Sequence, residues 1–187
     1  MTADTDHPHE GVMTDGDRAR IVGEWVEEHS SLVYRFAYRL CGSAADAEDL
    51  TQQTFLTAHR KLDQLRDHEK ARSWLLSIVR NTYLKSLRGS QQFVAFESCD
   101  GFADPSHDQW ESPIDGEELQ AALNELPEEF RTPVILFYFE EMSYKDIATH
   151  LDIPTGTVMS RLSRGKAYLR QRLVTRLGED VPVSSTH

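Results

Sequence analysis

Residues 143–177 read SYKDIATHLDIPTGTVMSRLSRGKAYLRQRLVTRL, and the fold follows from how this stretch divides. Ser143 with Asp146 three residues on is a cap for a short helix that turns Ile147, Ala148 and Leu151 inward. Asp152-Ile153-Pro154 breaks that helix, because proline lacks the backbone donor and disfavours helix in the residue before it. Thr155 then caps a longer helix with Val158, Leu162, Leu169, Leu173 and Leu177 on one stripe. A short helix, a tight turn and a longer basic helix make a helix-turn-helix. Opposite the stripe stand Thr157, Ser160, Ser163, Arg164 and Ala167, flanked by Met159 and Arg170 on one side and Arg161 on the other. Small hydroxyls let a backbone approach a duplex closely, and arginine can grip the N7 and O6 of guanine with two hydrogen bonds. The flanking cations can neutralise phosphates. Residues 155–177 hold six basic and no acidic side chains, which favours DNA over an αα-hairpin with an ordinary solvated face.

Working back from this segment, every periodic stretch is helical, and no strand period or internal repeat occurs. Trp25, Leu32, Val33, Phe36, Ala37 and Leu40 mark a helix from Ile21 to Leu40, closed by Cys41-Gly42. Ser43 and Asp46 open a second, with Leu50, Thr54, Ala58, Leu62 and Leu65 as its buried stripe. After a polar break at 66–70, a third runs from Ala71 to Arg88. It places Ala71, Trp74, Leu75, Ile78, Val79, Thr82 and Tyr83 on one broad side. Ser73, Ser77, Arg80, Asn81 and Arg88 fall on the other side, which carries no acid and can hold a nucleic-acid backbone. Trp74 beside Ile78 reads as core rather than as a stacking platform. Helices resume near 117, with Leu119, Ala122, Leu123 and Leu126. Pro127 takes the first position of the next helix, and Pro133 kinks that helix or delays its start. The architecture expected is all-α, with two small helical domains at 21–90 and 117–178. A mobile tail at 1–20, a linker at 91–116 and a tail at 179–187 complete it.

The chain has 187 residues and a formal charge of −11, from 20 Lys+Arg and 31 Asp+Glu, which at first sight excludes a DNA binder. The charge is not uniform. Residues 1–29 carry −6, residues 30–90 carry +4, residues 91–130 carry −11 with no basic side chain at all, and residues 131–187 carry +2. Two basic helical blocks thus lie between acidic ones. No apolar run is long enough to span a bilayer, and the N-terminus lacks the order of a signal peptide. The two cysteines, Cys41 and Cys99, fit reduced thiols in a cytoplasm, the expected location. No phosphate loop, nucleophile elbow or metal motif is present, and His7-Pro8-His9 has no accompanying ligand cluster. Neither an enzyme, a cofactor nor a metal is therefore expected.

Four ordered motifs carry a family resemblance: DAEDLTQQTF at 46–55, LRDHEKARSWLLSIVRNTYLKSLR at 65–88, LNELPEEFRTPVILFYFEEMSYKDIA at 123–148 and IPTGTVMSRLSRGKAYLR at 153–170. In this order they resemble the extracytoplasmic-function (ECF) sigma factors of bacterial RNA polymerase. The resemblance implies that the first domain is sigma region 2 and the second sigma region 4. It implies that Asp46, Glu48, Asp49, Gln52 and Gln53 meet the β′ clamp helices of core polymerase, with the β flap a further contact. Arg66, Asp67, His68, Lys70 and Arg72 match the loop that captures a flipped −10 base, and Arg80, Asn81, Lys85 and Arg88 the adjacent −10 helix. Thr157, Met159, Ser160, Arg161, Ser163, Arg164 and Lys166 match the −35 recognition segment. Met159 stands where relatives often carry arginine, and Gly165 where they often carry alanine. Many relatives are held by an anti-sigma factor, a partner the sequence neither shows nor excludes. The resemblance thus implies an alternative sigma factor, with core polymerase and promoter DNA as partners. The competing readings are a stand-alone helix-turn-helix regulator, whose dimerisation helix or ligand domain is not visible, and an interaction-only adaptor.

Overall fold

The structure, a computed structural model, describes residues 13–89 and 116–179, with side chains to Leu87 and Val174. Most of the acidic linker, with Cys99 and the aromatics Phe93, Phe96, Phe102 and Trp110, lies outside the described residues, as do His7-Pro8-His9 and residues 180–187. The described residues form seven α-helices and two short 3-10 turns, with no strand among them. The all-α expectation is met, in two helical units.

The first unit is α1 (Asp15–Cys41), α2 (Ala44–Lys61) and α3 (Ala71–Gly89), with 3-10 turns at Leu62–Gln64 and His68–Lys70. α1 begins at Asp15, so the expectation of a mobile tail through residue 20 is corrected. Thr14 and Asp17 form a capping box: the Asp17 amide donates to Thr14 Oγ1 at 3.2 Å, and the Thr14 amide to Asp17 Oδ2 at 3.2 Å. Arg18 then ties this turn to Asp63 at 2.5 Å. A turn held by caps and an ion pair leaves no apolar period to read. The helix ends at Gly42, whose φ of 72° is the left-handed conformation that glycine adopts without steric penalty. Ser43 caps α2 by accepting from the Asp46 amide at 3.3 Å. α2 buries Ala47, Leu50, Thr54, Phe55 and Ala58 against α1 and α3, and the buried Thr54 hydroxyl donates to the Leu50 carbonyl at 2.7 Å. Trp74 meets Trp25 edge to face at 6.0 Å and so packs with the core.

The second unit is α4 (Gly116–Glu125), α5 (Glu128–Tyr138), α6 (Tyr144–Leu151) and α7 (Thr155–Glu179). Pro127 is the residue before α5 rather than its first, and its carbonyl accepts from the Phe130 and Arg131 amides. Pro133 lies buried inside α5, which neither stops there nor starts after it. Ser143 caps α6 as expected, accepting from the Asp146 amide at 3.2 Å. The Pro154 carbonyl, not the Thr155 hydroxyl, takes the first amides of α7. α7 packs on α4, α5 and α6. Gly165 is what lets it approach α5: a Cβ there would stand 2.7 Å from Val134 Cγ2.

The two units share one connected apolar core, with α4 and α5 seated on α1. Gln120 donates to the carbonyls of Tyr38 and Arg39 at 3.3 Å. The Arg131 side chain is buried and donates to the Leu40 carbonyl and, at 3.1 Å, to the Tyr83 hydroxyl, while its own unit supplies the carbonyls of Asn124 and Leu126. A buried guanidinium tolerates such a place only because its donors are met.

Candidate nucleic-acid interface

α7 lies in a helix-turn-helix, α6 and α7 meeting through Asp152, whose φ of 54° is the left-handed turn that ends α6. Two clasps set its pose. Arg172 donates to both carboxylate oxygens of Glu125 at 2.6 and 2.8 Å, and Tyr168 donates to the same carboxylate at 3.1 Å. Arg161 pairs with Glu129 at 3.6 Å. Beyond these, Arg164, Arg170 and Met159 are exposed, Met159 at 42%, with Thr157 and Ser160 half-buried beside them. Two expected contacts are not on this surface. Ser163 and Lys166 are both buried. Lys166 comes four residues after Leu162 and three before Leu169, so it sits at the edge of the apolar stripe that α7 turns towards α4, α5 and α6.

On the first unit, Arg66, Lys70, Asn81 and Lys85 are exposed. Asp67 is turned to local work: its carboxylate accepts from the Glu69 amide at 3.1 Å and pairs with Lys70 at 3.3 Å. His68 stands edge-on to Trp25 at 5.6 Å, which fixes the loop before α3. For Arg88 only the backbone, inside α3, is described. The other residues of the expected −10 face are occupied by the second unit. Arg72 donates to Glu140 Oε2 at 2.8 Å and to the Glu140 carbonyl at 3.1 Å. Arg80 donates to Glu128 Oε1 at 3.0 Å. Ser77 Oγ stands 3.2 Å from His150 Nδ1. Burial pushes the Glu140 carboxyl up, opposed by the guanidinium groups of Arg72, Arg35 and Arg39. Burial first, then the charge of Arg80, lowers His150 to about 4, so its ring is neutral at pH 7.

The expected docking residues on α2, Asp46, Glu48, Asp49, Gln52 and Gln53, are all exposed. Leu56 joins them, 62% exposed, four residues beyond Gln52 and three beyond Gln53, so the polar ridge carries an apolar residue at its C-terminal end. Its signal in the sequence is its absence from the Leu50–Leu62 stripe.

The geometry is therefore a helix-turn-helix with a basic outer face, a half-covered basic face on α3 and an open acidic ridge on α2. Residues 25–93 match the family model Sigma-70 region 2, and residues 116–169 match that of Sigma-70, region 4. The chain is 38% identical over 172 residues to ECF RNA polymerase sigma factor SigE of Mycolicibacterium smegmatis, covering 88% of this chain and 66% of that one. It is 33% identical over 151 residues to ECF RNA polymerase sigma factor SigL of Mycobacterium tuberculosis, covering 79% of this chain and 85% of that one. This chain is an ECF sigma factor. The sigma factor RpoE in complex with the anti-sigma factor NepR, from Bartonella quintana, is 25% identical with a TM-score of 0.65, over 81% of this sigma factor and 96% of that chain. CnrH in complex with the cytosolic domain of CnrY shares the fold, at 21% identity and a TM-score of 0.59. The four-motif resemblance is borne out, and with it the general function: an alternative sigma factor that directs RNA polymerase to promoters. No helix among the described residues is long and apolar enough to cross a membrane.

Proposed function

We propose how this sigma factor divides that task among its helices. The outer face of α7, with Thr157, Ser160, Arg161, Arg164 and Met159, reads the −35 duplex in the major groove. Arg66, His68, Lys70, Arg72, Arg80, Asn81, Lys85 and Arg88 capture the −10 strand as it separates. Asp46, Glu48, Asp49, Gln52, Gln53 and Leu56 dock on the β′ clamp helices, and the second domain meets the β flap. Ser163 and Lys166 are left out of the −35 set because both are buried. The observation that carries the reading is the outward side of α7, where Arg164 and Arg170 stand exposed on a helix whose first 23 residues contain no acid.

The chain itself catalyses no step in this reading, since polymerase supplies the phosphoryl transfer, and it works in the cytoplasm. An anti-sigma partner is part of the proposal, supported by the RpoE relative solved with NepR. Reconstitution with purified core polymerase tests the whole. Promoter-specific transcription with core, and weak binding to the same promoter without it, is the expected result. Equal promoter binding alone, with no transcription when core is added, would instead identify a free-standing helix-turn-helix regulator.

A further inference from the structure

The two faces that this sigma factor needs are in different states. The α2 ridge is open, whereas two cations of the −10 face already hold carboxylates. Arg80 and Glu128 keep only 20% of each side chain exposed, and Glu140 keeps 6%. These are oxygen anions at hydrogen-bond distance from guanidinium donors, the position a DNA phosphate would take. Glu128 is fixed further by the Thr132 hydroxyl at 2.9 Å. Around the pairs lie Arg131 on Leu40 and Tyr83, Gln120 on Tyr38 and Arg39, and the Arg39 guanidinium 3.5 Å above the Phe139 ring. The contact is therefore a packed interface, and not one exposed ion pair of little worth.

We propose that Glu128 and Glu140 act as a phosphate-mimicking latch, holding Arg80 and Arg72 so that the free chain is closed to single-stranded DNA. The inference rests on the −10 reading of α3 given above. It also sets an order of events. Polymerase can engage the exposed α2 ridge of the closed chain, but the strand can engage Arg72 and Arg80 of α3 only after the units part. The closed population lowers apparent strand affinity by the fraction of chains that are open.

The test uses the full chain and a fluorescein-labelled single strand of about 20 thymidines, read by anisotropy beside small-angle scattering. The double variant Glu128→Gln, Glu140→Gln is expected to bind about tenfold tighter than wild type and to expand. Losing two negative charges alone favours DNA, so Glu27→Gln with Glu28→Gln on the exposed face of α1 is the charge-matched control, expected to gain much less. Gln120→Ala removes two contacts between the units without changing charge and is expected to gain about twofold. Circular dichroism confirms that each variant is folded. An equal gain in the control overturns the latch, as does a double variant that neither expands nor binds more tightly. Expansion without tighter binding overturns the −10 reading instead. Arg80→Ala in reconstituted holoenzyme checks that reading separately, since loss of promoter opening there is independent of the latch.

Discussion

Gly165 shows how one residue couples helix propensity to packing. Alanine is the better helix former by about 1 kcal/mol. Here its Cβ would meet Val134 Cγ2 at 2.7 Å and the Phe130 carbonyl at 3.5 Å, and valine is stiff at χ1, so it cannot easily yield. Gly165→Ala is therefore expected to destabilise the second unit by about 1–2 kcal/mol net, the overpacking strain exceeding the propensity gain. Adding Val134→Ala should recover part of that loss in a thermal-melt double-mutant cycle. A second prediction separates neighbours on one helix. Arg164→Ala should weaken promoter binding by about 1–3 kcal/mol and relax specificity at one −35 base. Lys166→Ala should leave base preference unchanged and lower the melting temperature, because its side chain is buried. Competition binding with single-base promoter variants distinguishes the two.

At the scale of elements, α2 and α3 carry opposite faces whose accessibility differs. α2 turns its core stripe into the bundle and presents a polar ridge that ends in the exposed Leu56. An exposed leucine beside a polar ridge offers apolar area that a partner can take out of water. Leu56→Asp is expected to weaken core-polymerase binding at least tenfold while leaving the melting temperature within about 2 °C, read by calorimetry of the purified chain with core. A drop in stability without loss of core binding would remove Leu56 from the docking face. α3, by contrast, is covered on its apolar side and over part of its polar side. Its apolar side packs on α1 and α2, and Arg72, Ser77 and Arg80 meet Glu140, His150 and Glu128. The side that the helical wheel assigns to solvent is in fact half interface.

For the whole molecule, the joint between the units should respond to pH through His150. The residue is half-buried, Nδ1 lies against Ser77, Nε2 is enclosed without a partner, and its pKa is depressed to about 4. Parting the units takes Ser77 and Arg80 away from the ring and moves its pKa back towards the ordinary 6.5, so packing is favoured above that and weakens as pH falls from 6.5 towards 4. The difference amounts to at most about 3 kcal/mol. Glu140, whose pKa is raised by burial, works in the other direction near its own titration, since the packed state holds its proton more firmly. His150→Asn isolates the histidine: scattering across pH 7 to 4.5 should show wild type opening more steeply than the variant. Equal slopes would place the pH response elsewhere.

Much of this molecule is legible in its sequence. Capping residues, breaks at Pro154 and Gly42, and 3.6-residue periodicity are local, so the all-α class, the helix-turn-helix and the two basic blocks follow from neighbours along the chain. The family can be read for the same reason, because its motifs are contiguous. The first turn of α1 escapes because it rests on a capping box and on Arg18 reaching Asp63, which apolar spacing does not register. Arg131, Gln120, Glu128 and Glu140 escape more completely. Their partners lie 48 to 91 residues away in sequence, and nothing local distinguishes a carboxylate that seals an interface from one that faces water. The sequence alone determined which helices form and which surfaces are charged. Only the tertiary structure decided which of those charges remain free, because burial and pairing depend on what a distant helix brings to the same place.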